Sequence, residues 1–181
     1  MRTFAEIMAA HEEEVSSPDG NIKARLKSGD VADFEFRPGT YERYTDVELA
    51  SQLEGISRLI AVARRRARRR ALRESLELDF EPEPATPDSP ASRRVFERQD
   101  AEVVVVETSS VRVRVRGTRT WQVKIRPGTT RNMTEEMFKK DVALAAKRTL
   151  TRARSAMQTI TELETGPSFI LQGLTGLNLT K

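Results

Sequence analysis

The chain contains no cysteine, only one histidine and few aromatic residues, which make up 6% of the sequence. Without cysteine the protein forms neither disulfide bonds nor thiolate metal sites, which is typical of a reducing compartment. No run approaches the ~20 apolar residues that cross a bilayer, and the first residues lack the apolar segment of a secretory signal. These absences predict a soluble, cytoplasmic protein that has no membrane partner.

Residue types used in catalysis are equally scarce. His11 stands beside the glutamates at 12–14, and no second cluster of metal-ligating residues accompanies them. A single solvated histidine is more typical of a surface position than of a catalytic one. The nucleophile elbow, the zinc-protease motif, the phosphate-binding glycine loop and the dinucleotide-binding fingerprint are all missing. We therefore predict a protein that is not an enzyme and that binds no metal and no cofactor.

What the sequence does contain is an internal repeat. Arg37-Pro38-Gly39-Thr40 returns 89 positions later as Arg126-Pro127-Gly128-Thr129. At the same offset, the alternating apolar and basic residues of 22–27 return in 111–116. One unit of this size buries too little apolar surface to be stable alone. We therefore predict that the two copies share one core as an intramolecular pseudo-dimer.

Each copy has the pattern of a short helix, a β-hairpin and a long helix. In the first copy, residues 3–15 fit a helix, and the alternation over 22–27 and 31–36 fits two strands joined by the loop Ser28-Gly29-Asp30. The inward side chains of the second strand are predicted to be Ala32, Phe34 and Phe36.

A long helix is predicted to begin after Thr45. The Thr45 hydroxyl and the Glu48 carboxylate have the spacing of a capping box. Gly55 lies inside this helix, where it costs roughly 1 kcal/mol relative to alanine unless close packing requires it. One apolar stripe follows the helix, formed by Leu49, Leu53, Ile56, Ile60, Ala63, Ala67 and Ala71.

In the second copy we predict a short helix at 92–100 and strands at 103–106, 111–115 and 121–125. This is either one strand more than in the first copy or a longer pairing of the second strand. Thr134 is expected to cap a second long helix that ends near Leu163. The apolar positions of that helix are Phe138, Val142, Ala145, Ala146, Leu150 and Met157.

The composition divides the chain into four segments and predicts an α/β fold in the broad sense, of the α+β type. Residues 1–78 form the first unit and 92–164 the second. Residues 79–91 form an acidic, proline-rich linker that is expected to be extended. Residues 165–181 form an apolar tail, which is expected to dock on a groove of this protein or of a partner.

Positive charge is concentrated in a few places, although the net charge is only +4. Arginines crowd the C-terminal half of the first long helix, and basic residues alternate along 22–27 and 111–116. Arginine presents a planar fork of donors that matches phosphate oxygens. The candidate DNA-binding residues are Arg64, Arg65, Arg66, Arg68, Arg69, Arg70, Lys23, Arg25, Lys27, Arg112, Arg114 and Arg116.

These features also have structural explanations. Exposed strand positions are often charged, and basic residues on edge strands prevent aggregation. Cations near a helix C-terminus suit the helix dipole, with Glu74, Glu77 and Asp79 as counter-ions. The helix run is the stronger signal, because like charges one turn apart repel unless a polyanion neutralises them. Trp121 aligns with Ala32 on the inward face, which disfavours base stacking and single-strand binding.

The layout resembles the YbaB/EbfC family of small nucleoid-associated proteins, and also the YbaB-like Esp proteins of actinobacterial type VII secretion. The resemblance implies α/β units that pair through strands and helices and that bind DNA with limited sequence preference. Members are typically single units that form homodimers, whereas this chain holds two units. The residues behind the resemblance are Asp19-Gly20, the strand with Lys23, Arg25 and Lys27, Gly29-Asp30, Val31–Phe36, and Thr45 with the helix from Leu49 to Arg66.

We therefore expect a nucleoid-associated-type protein that contacts the phosphates of double-stranded DNA, and homo-oligomers of the chain are compatible with this function. The alternative is a protein-binding adaptor or chaperone of a type VII secretion system, which would use an apolar groove between the long helices or the tail. DNA binding requires basic side chains of both copies on one continuous face. The adaptor requires an exposed apolar groove.

Overall fold

The computed structural model describes residues 2–77, 89–117 and 120–165. Most of the predicted linker and nearly all of the predicted tail lie outside these ranges. The first repeat contains α1 (Phe4–Ala9), β1 (Glu12–Ser16), β2 (Ile22–Lys27), β3 (Asp30–Phe36), a 3-10 turn (Tyr41–Arg43) and α2 (Asp46–Ser75). The second contains α3 (Pro90–Ala101), β4 (Val103–Glu107), β5 (Val111–Arg116), β6 (Thr120–Ile125), α4 (Thr129–Asn132) and α5 (Glu135–Thr165).

The strands form two separate antiparallel sheets, in the orders β1-β2-β3 and β4-β5-β6. The described residues therefore have a mixed α+β fold, as predicted. The expected short helix before the second sheet is confirmed as α3, which begins within the predicted linker.

The N-terminal segment differs from the prediction. The helix expected over 3–15 ends at Ala9, and Glu12–Ser16 instead forms β1, which pairs with β2. Local periodicity gives no sign of this strand, because its charged residues find their partners only across the sheet. Both repeats therefore have three strands, and the prediction of an extra strand in the second copy is wrong.

A register shift in the first sheet explains a second difference. Leu26 pairs with Val31 and Arg25 pairs with Asp33, so Ala32 is the extra residue between the two pairs. Such an irregularity turns the extra residue away from its regular place in the pleat. Ala32 is exposed, and its predicted inward position is wrong, whereas Phe36 is buried as predicted.

The two long helices are confirmed. The capping box of Thr45 and Glu48 starts α2, and the Thr134 hydroxyl accepts a hydrogen bond of 3.3 Å from the backbone N–H of Met137 at the start of α5. The apolar stripe of α2 is buried except for Ile60, which packs against the core from a partly buried position. On α5, Phe138 and Ala145 are fully buried.

One hydrophobic core draws on both repeats. Phe138 of α5 packs against Phe36 and Tyr41 of the first repeat, with ring centroids 6.2 and 5.4 Å apart. Helix α2 also packs against β6. There the Glu54 carboxylate accepts a hydrogen bond of 2.9 Å from the backbone N–H of Val123, on the edge of β6 that pairs with no strand.

The repeated Arg-Pro-Gly-Thr turn has the same geometry in both copies. The hydroxyls of Thr40 and Thr129 each donate a hydrogen bond of 2.7 Å to the carbonyl oxygen of the turn's own arginine, Arg37 or Arg126. The glycine before each threonine has a positive φ, 71° in the first copy and 83° in the second. A residue with a Cβ is strained in this conformation, which explains why glycine stands at both positions.

The turn of the second repeat also holds the start of α2. The Asp46 carboxylate accepts hydrogen bonds from the backbone N–H groups of Gly128 (2.6 Å) and Thr130 (2.9 Å). Burial alone would raise the pKa of Asp46, but these hydrogen bonds and the charge of Arg131 hold it below its ordinary value. Asp46 therefore joins the two repeats as an ionised side chain at neutral pH.

Each long helix is also fixed to the first turn of its own sheet. The Asp141 carboxylate of α5 accepts hydrogen bonds from the Ser110 backbone N–H (2.8 Å) and the Thr108 hydroxyl (2.7 Å). At the corresponding position of α2, the Gln52 side chain accepts one from the backbone N–H of Asp19 (3.2 Å). Burial alone would raise the pKa of Asp141, but the hydrogen bonds lower it to about 2.

We expect Asp141→Asn to reduce the free energy of unfolding at pH 7 by about 1–2 kcal/mol. A carboxyl group whose pKa is lowered in the folded state stabilises the protein above its unfolded pKa, and this stabilisation is lost as the pH falls from about 4 to about 2. Urea unfolding measured at several pH values should therefore show a shallower loss of stability in the variant over that window. The exposed Glu97→Gln is the control, and an equal slope in native chain and Asp141→Asn would contradict this role.

Gly55 is explained by its contact with the turn between β1 and β2. A Cβ atom at position 55 would lie 2.5 Å from Cγ and 2.7 Å from Cδ of Pro18. The proline ring is rigid, so the helix and the turn would have to move apart. Close packing therefore justifies a glycine inside α2.

Gly55→Ala should lower the free energy of unfolding by about 1–3 kcal/mol through overpacking, although alanine favours a helix by roughly 1 kcal/mol. In a Pro18→Ala background the clash disappears, because only the Pro18 Cβ, at 4.0 Å, remains near position 55. The same substitution should there be neutral or stabilising in urea unfolding. A loss of stability in both backgrounds would show that the Pro18 contact is not the reason for the glycine.

Candidate nucleic-acid interface

The C-terminal half of α2 is a basic helix with one buried face. Ala63, Ala67 and Ala71 are buried, so the arginines between them occupy the remaining surface of the helix. The sequence has no acidic residue between Glu54 and Glu74. Within the predicted run, Arg64 is partly buried, and the exposed members are Arg65, Arg66, Arg68, Arg69 and Arg70.

The arginines of α2 differ in their partners. Arg70 pairs with Glu74 at 2.7 Å, and Glu74 also pairs with Arg2 at 3.3 Å. In the described part of the chain, no carboxylate forms an ion pair with Arg65, Arg66 or Arg68. These three guanidinium groups therefore present positive charge that the described residues do not neutralise.

The basic row of the first sheet lies between carboxylates on both sides. The Nζ atom of Lys23 lies 2.7 Å from Oε1 of Glu14, and the Nζ atom of Lys27 lies 3.5 Å from Oε1 of Glu12. Arg25 stands between β1 and β3 carboxylates in the register of the sheet. The three cations are outnumbered by the carboxylates directly opposite them in these ladders, which are Glu12, Glu14, Asp30, Asp33 and Glu35.

The corresponding row of the second sheet has different neighbours. Glu107 is the single carboxylate opposite the row in these ladders, and it pairs with Arg112 at 3.1 Å. The other neighbours of Arg112, Arg114 and Arg116 are uncharged, apart from the basic Lys124. This face therefore has a surplus of positive charge. The neighbours without charge are Val103, Val105, Thr120 and Gln122.

Helix α5 contributes basic residues that the sequence analysis did not select. Four exposed cations lie along its middle, and the sequence has no acidic residue between Asp141 and Glu162. The signal for them was available, because α5 is the counterpart of α2 in the repeat and shares its long stretch without acids. These residues are Lys147, Arg148, Arg152 and Arg154.

Basic side chains of both repeats meet at Asp30. Its Oδ1 atom lies 3.2 Å from Nη2 of Arg64 on α2 and 2.8 Å from Nη2 of Arg154 on α5. Burial lowers the pKa of Arg64, the charge of Asp30 opposes this, and the charges of Arg154 and Arg68 lower it further. Two guanidinium groups therefore converge on one carboxylate, and the positive charges of Arg154 and Arg68 both act on Arg64.

Trp121 and His11 lie outside this basic surface and contact other residues of the protein. Trp121 is partly buried and packs against the core, in agreement with its predicted inward position. His11 lies 3.3 Å from Glu13, beside a cavity of about 230 Å³ between α1 and α2. Over the described ranges, no group of three histidine or acidic side chains is placed to hold a metal ion, and no helix is long and apolar enough to cross a membrane.

Comparisons with known proteins found no relative: no family model matches the chain, and the searches of curated proteins and of solved structures gave no match. The resemblance to the YbaB/EbfC family therefore stays a prediction from the sequence pattern. The charges and contacts of the chain itself are what bear on its function.

Proposed function

We propose that this protein binds double-stranded DNA through its phosphate backbone, with low sequence preference and without enzymatic activity. The observation that supports this most directly is the exposed set of Arg65, Arg66 and Arg68 on α2, which form no ion pair with a carboxylate of the described ranges. Contacts between arginine and phosphate release counter-ions and supply most of the free energy of sequence-independent DNA binding. A protein of this kind would act in the cytoplasmic nucleoid.

The second sheet is the second contact surface in this proposal. Arg112, Arg114 and Arg116 lie in one row with a single opposing carboxylate. A phosphate that approached Lys23, Arg25 or Lys27 would instead have to displace carboxylates of β1 and β3. We therefore expect the first sheet to contribute least among the predicted residues.

We also infer that the two repeats form a YbaB/EbfC-like pseudo-dimer within the chain. The shared core supports this arrangement, as does the hydrogen bond of 3.1 Å from the Tyr41 hydroxyl to the Met133 carbonyl oxygen, which joins the first repeat to the second. The matching geometry of the two Arg-Pro-Gly-Thr turns supports it as well.

The proposal predicts different effects for two variants that each remove three positive charges. Fluorescence anisotropy with a labelled, sequence-neutral 30-bp duplex should show affinity falling about 10³-fold between 50 and 200 mM salt if about six phosphates are contacted. Arg65/Arg66/Arg68→Gln should reduce the magnitude of the salt slope by about 3 and weaken binding at least tenfold. Lys23/Arg25/Lys27→Gln should change the slope by less than about 1, because carboxylates already neutralise that row.

The outcomes separate the two functions considered for this chain. Equal losses in both variants would contradict the assignment to α2 and would indicate attraction by overall charge. An absence of binding by the native chain at 50 mM salt would refute DNA binding altogether. The adaptor, acting through an apolar groove between the long helices or through the tail, would then be the leading hypothesis; Leu59 and Leu72 are among the exposed apolar residues of α2.

A further inference from the structure

The hairpin between β2 and β3 places one carboxylate among arginines of both repeats. Its two-residue loop, Ser28-Gly29, has positive φ at both positions, 55° and 80°, as a type I′ turn requires. Asp30 follows directly, and 53% of its side chain is exposed. The tight turn therefore fixes the point at which Arg64 and Arg154 converge.

We propose that Arg64 and Arg154 form one phosphodiester-binding site with an arginine from each repeat, and that Asp30 occupies this site in the free protein as an internal substitute for the phosphate. The inference rests on the proposed DNA binding and specifies where one phosphate is held. Arg154 is a binding residue that the sequence analysis did not identify.

The balance of charge at this site favours a second anion. Arg64 and Arg154 bring two positive charges, the charge of Arg68 also acts on Arg64, and Asp30 brings one negative charge. The Asp30–Arg154 pair is exposed on both sides, and such a pair contributes only about 0–1 kcal/mol, so breaking this contact costs little free energy. A phosphodiester would add negative charge to a group of cations that has a surplus of positive charge.

The geometry gives the phosphate an advantage over the carboxylate. Both guanidinium groups donate to the same Oδ1 atom of Asp30, whose position is set by the tight turn. A phosphodiester is not tethered to the hairpin, so it can turn one non-bridging oxygen towards each arginine in a charge-assisted hydrogen bond. The 60% exposure of the Arg154 side chain leaves it accessible to a duplex.

The site is expected only once in the chain. In the sequence, residues 117–119 lie between β5 and β6 at the corresponding place in the second repeat and include no acidic residue. The carboxylate that stands in for phosphate is therefore particular to the first repeat, while the second repeat supplies the arginine that reaches it.

A double-mutant cycle with the 30-bp duplex tests this site in the full-length chain. Asp30→Asn should tighten binding about threefold or more, because it removes the competing anion. Arg154→Gln should weaken binding and reduce the salt slope by about 1, as for a phosphate contact. In the double variant, the gain from Asp30→Asn should fall to less than half, because the two side chains act at one site.

Arg152→Gln is the matched control. It removes the same charge two residues away on α5, from a guanidinium group that donates to the Val105 carbonyl oxygen at 3.1 Å. Its effect on the salt slope should be smaller than that of Arg154→Gln. Urea unfolding of each variant verifies that it remains folded, which is expected because the substituted side chains are exposed.

The failures of the two proposals are distinguishable. If the native chain binds the duplex but the effects of Asp30→Asn and Arg154→Gln are additive, the shared site is refuted and the proposed function stands. The same conclusion follows if Arg154→Gln and Arg152→Gln have equal effects. If the native chain does not bind the duplex at 50 mM salt, both proposals fail.

Discussion

The packing of Phe138 against Phe36 and Tyr41 is the contact on which the rest of the structure depends. Each sheet of three short strands and its long helix expose one apolar face, and neither repeat has enough apolar surface to bury that face alone. The aromatic cluster closes the two faces on each other. It thereby determines which side of each sheet and of each long helix is exposed to solvent.

The placement of charge follows from this closure. The alanines of α2 are buried because that stripe faces the core. The arginines between them therefore lie on the surface of the helix. The same alternation turns the basic rows of β2 and β5 outward, while their apolar partners line the core. The two rows differ in the residues of the strand beside them. Residues of β1 paired with β2 include glutamates, whereas most residues of β4 paired with β5 are valines.

The sequence predicts the parts of the fold that local pattern determines. The capping box at Thr45 and the apolar stripe behind it define α2 without reference to the rest of the chain. By contrast, β1 forms through its pairing with β2 and the burial of Val15 in the core, and the exposure of Ala32 depends on a register that two strands set together. The same limit applies to the candidate site. The arginine run is visible in the sequence, but the meeting of Arg154 with Asp30 depends on contacts 124 residues apart.

The different outer faces of the two sheets have a consequence for how such a chain can change. In a homodimer of identical units, every substitution occurs in both subunits, so the two sheets always carry the same outer face. Here the units lie in one polypeptide and vary independently, and the basic row of one sheet has five opposing carboxylates while that of the other has one. The two outer faces of this chain are therefore chemically unlike, a difference that two identical subunits related by a twofold axis cannot have.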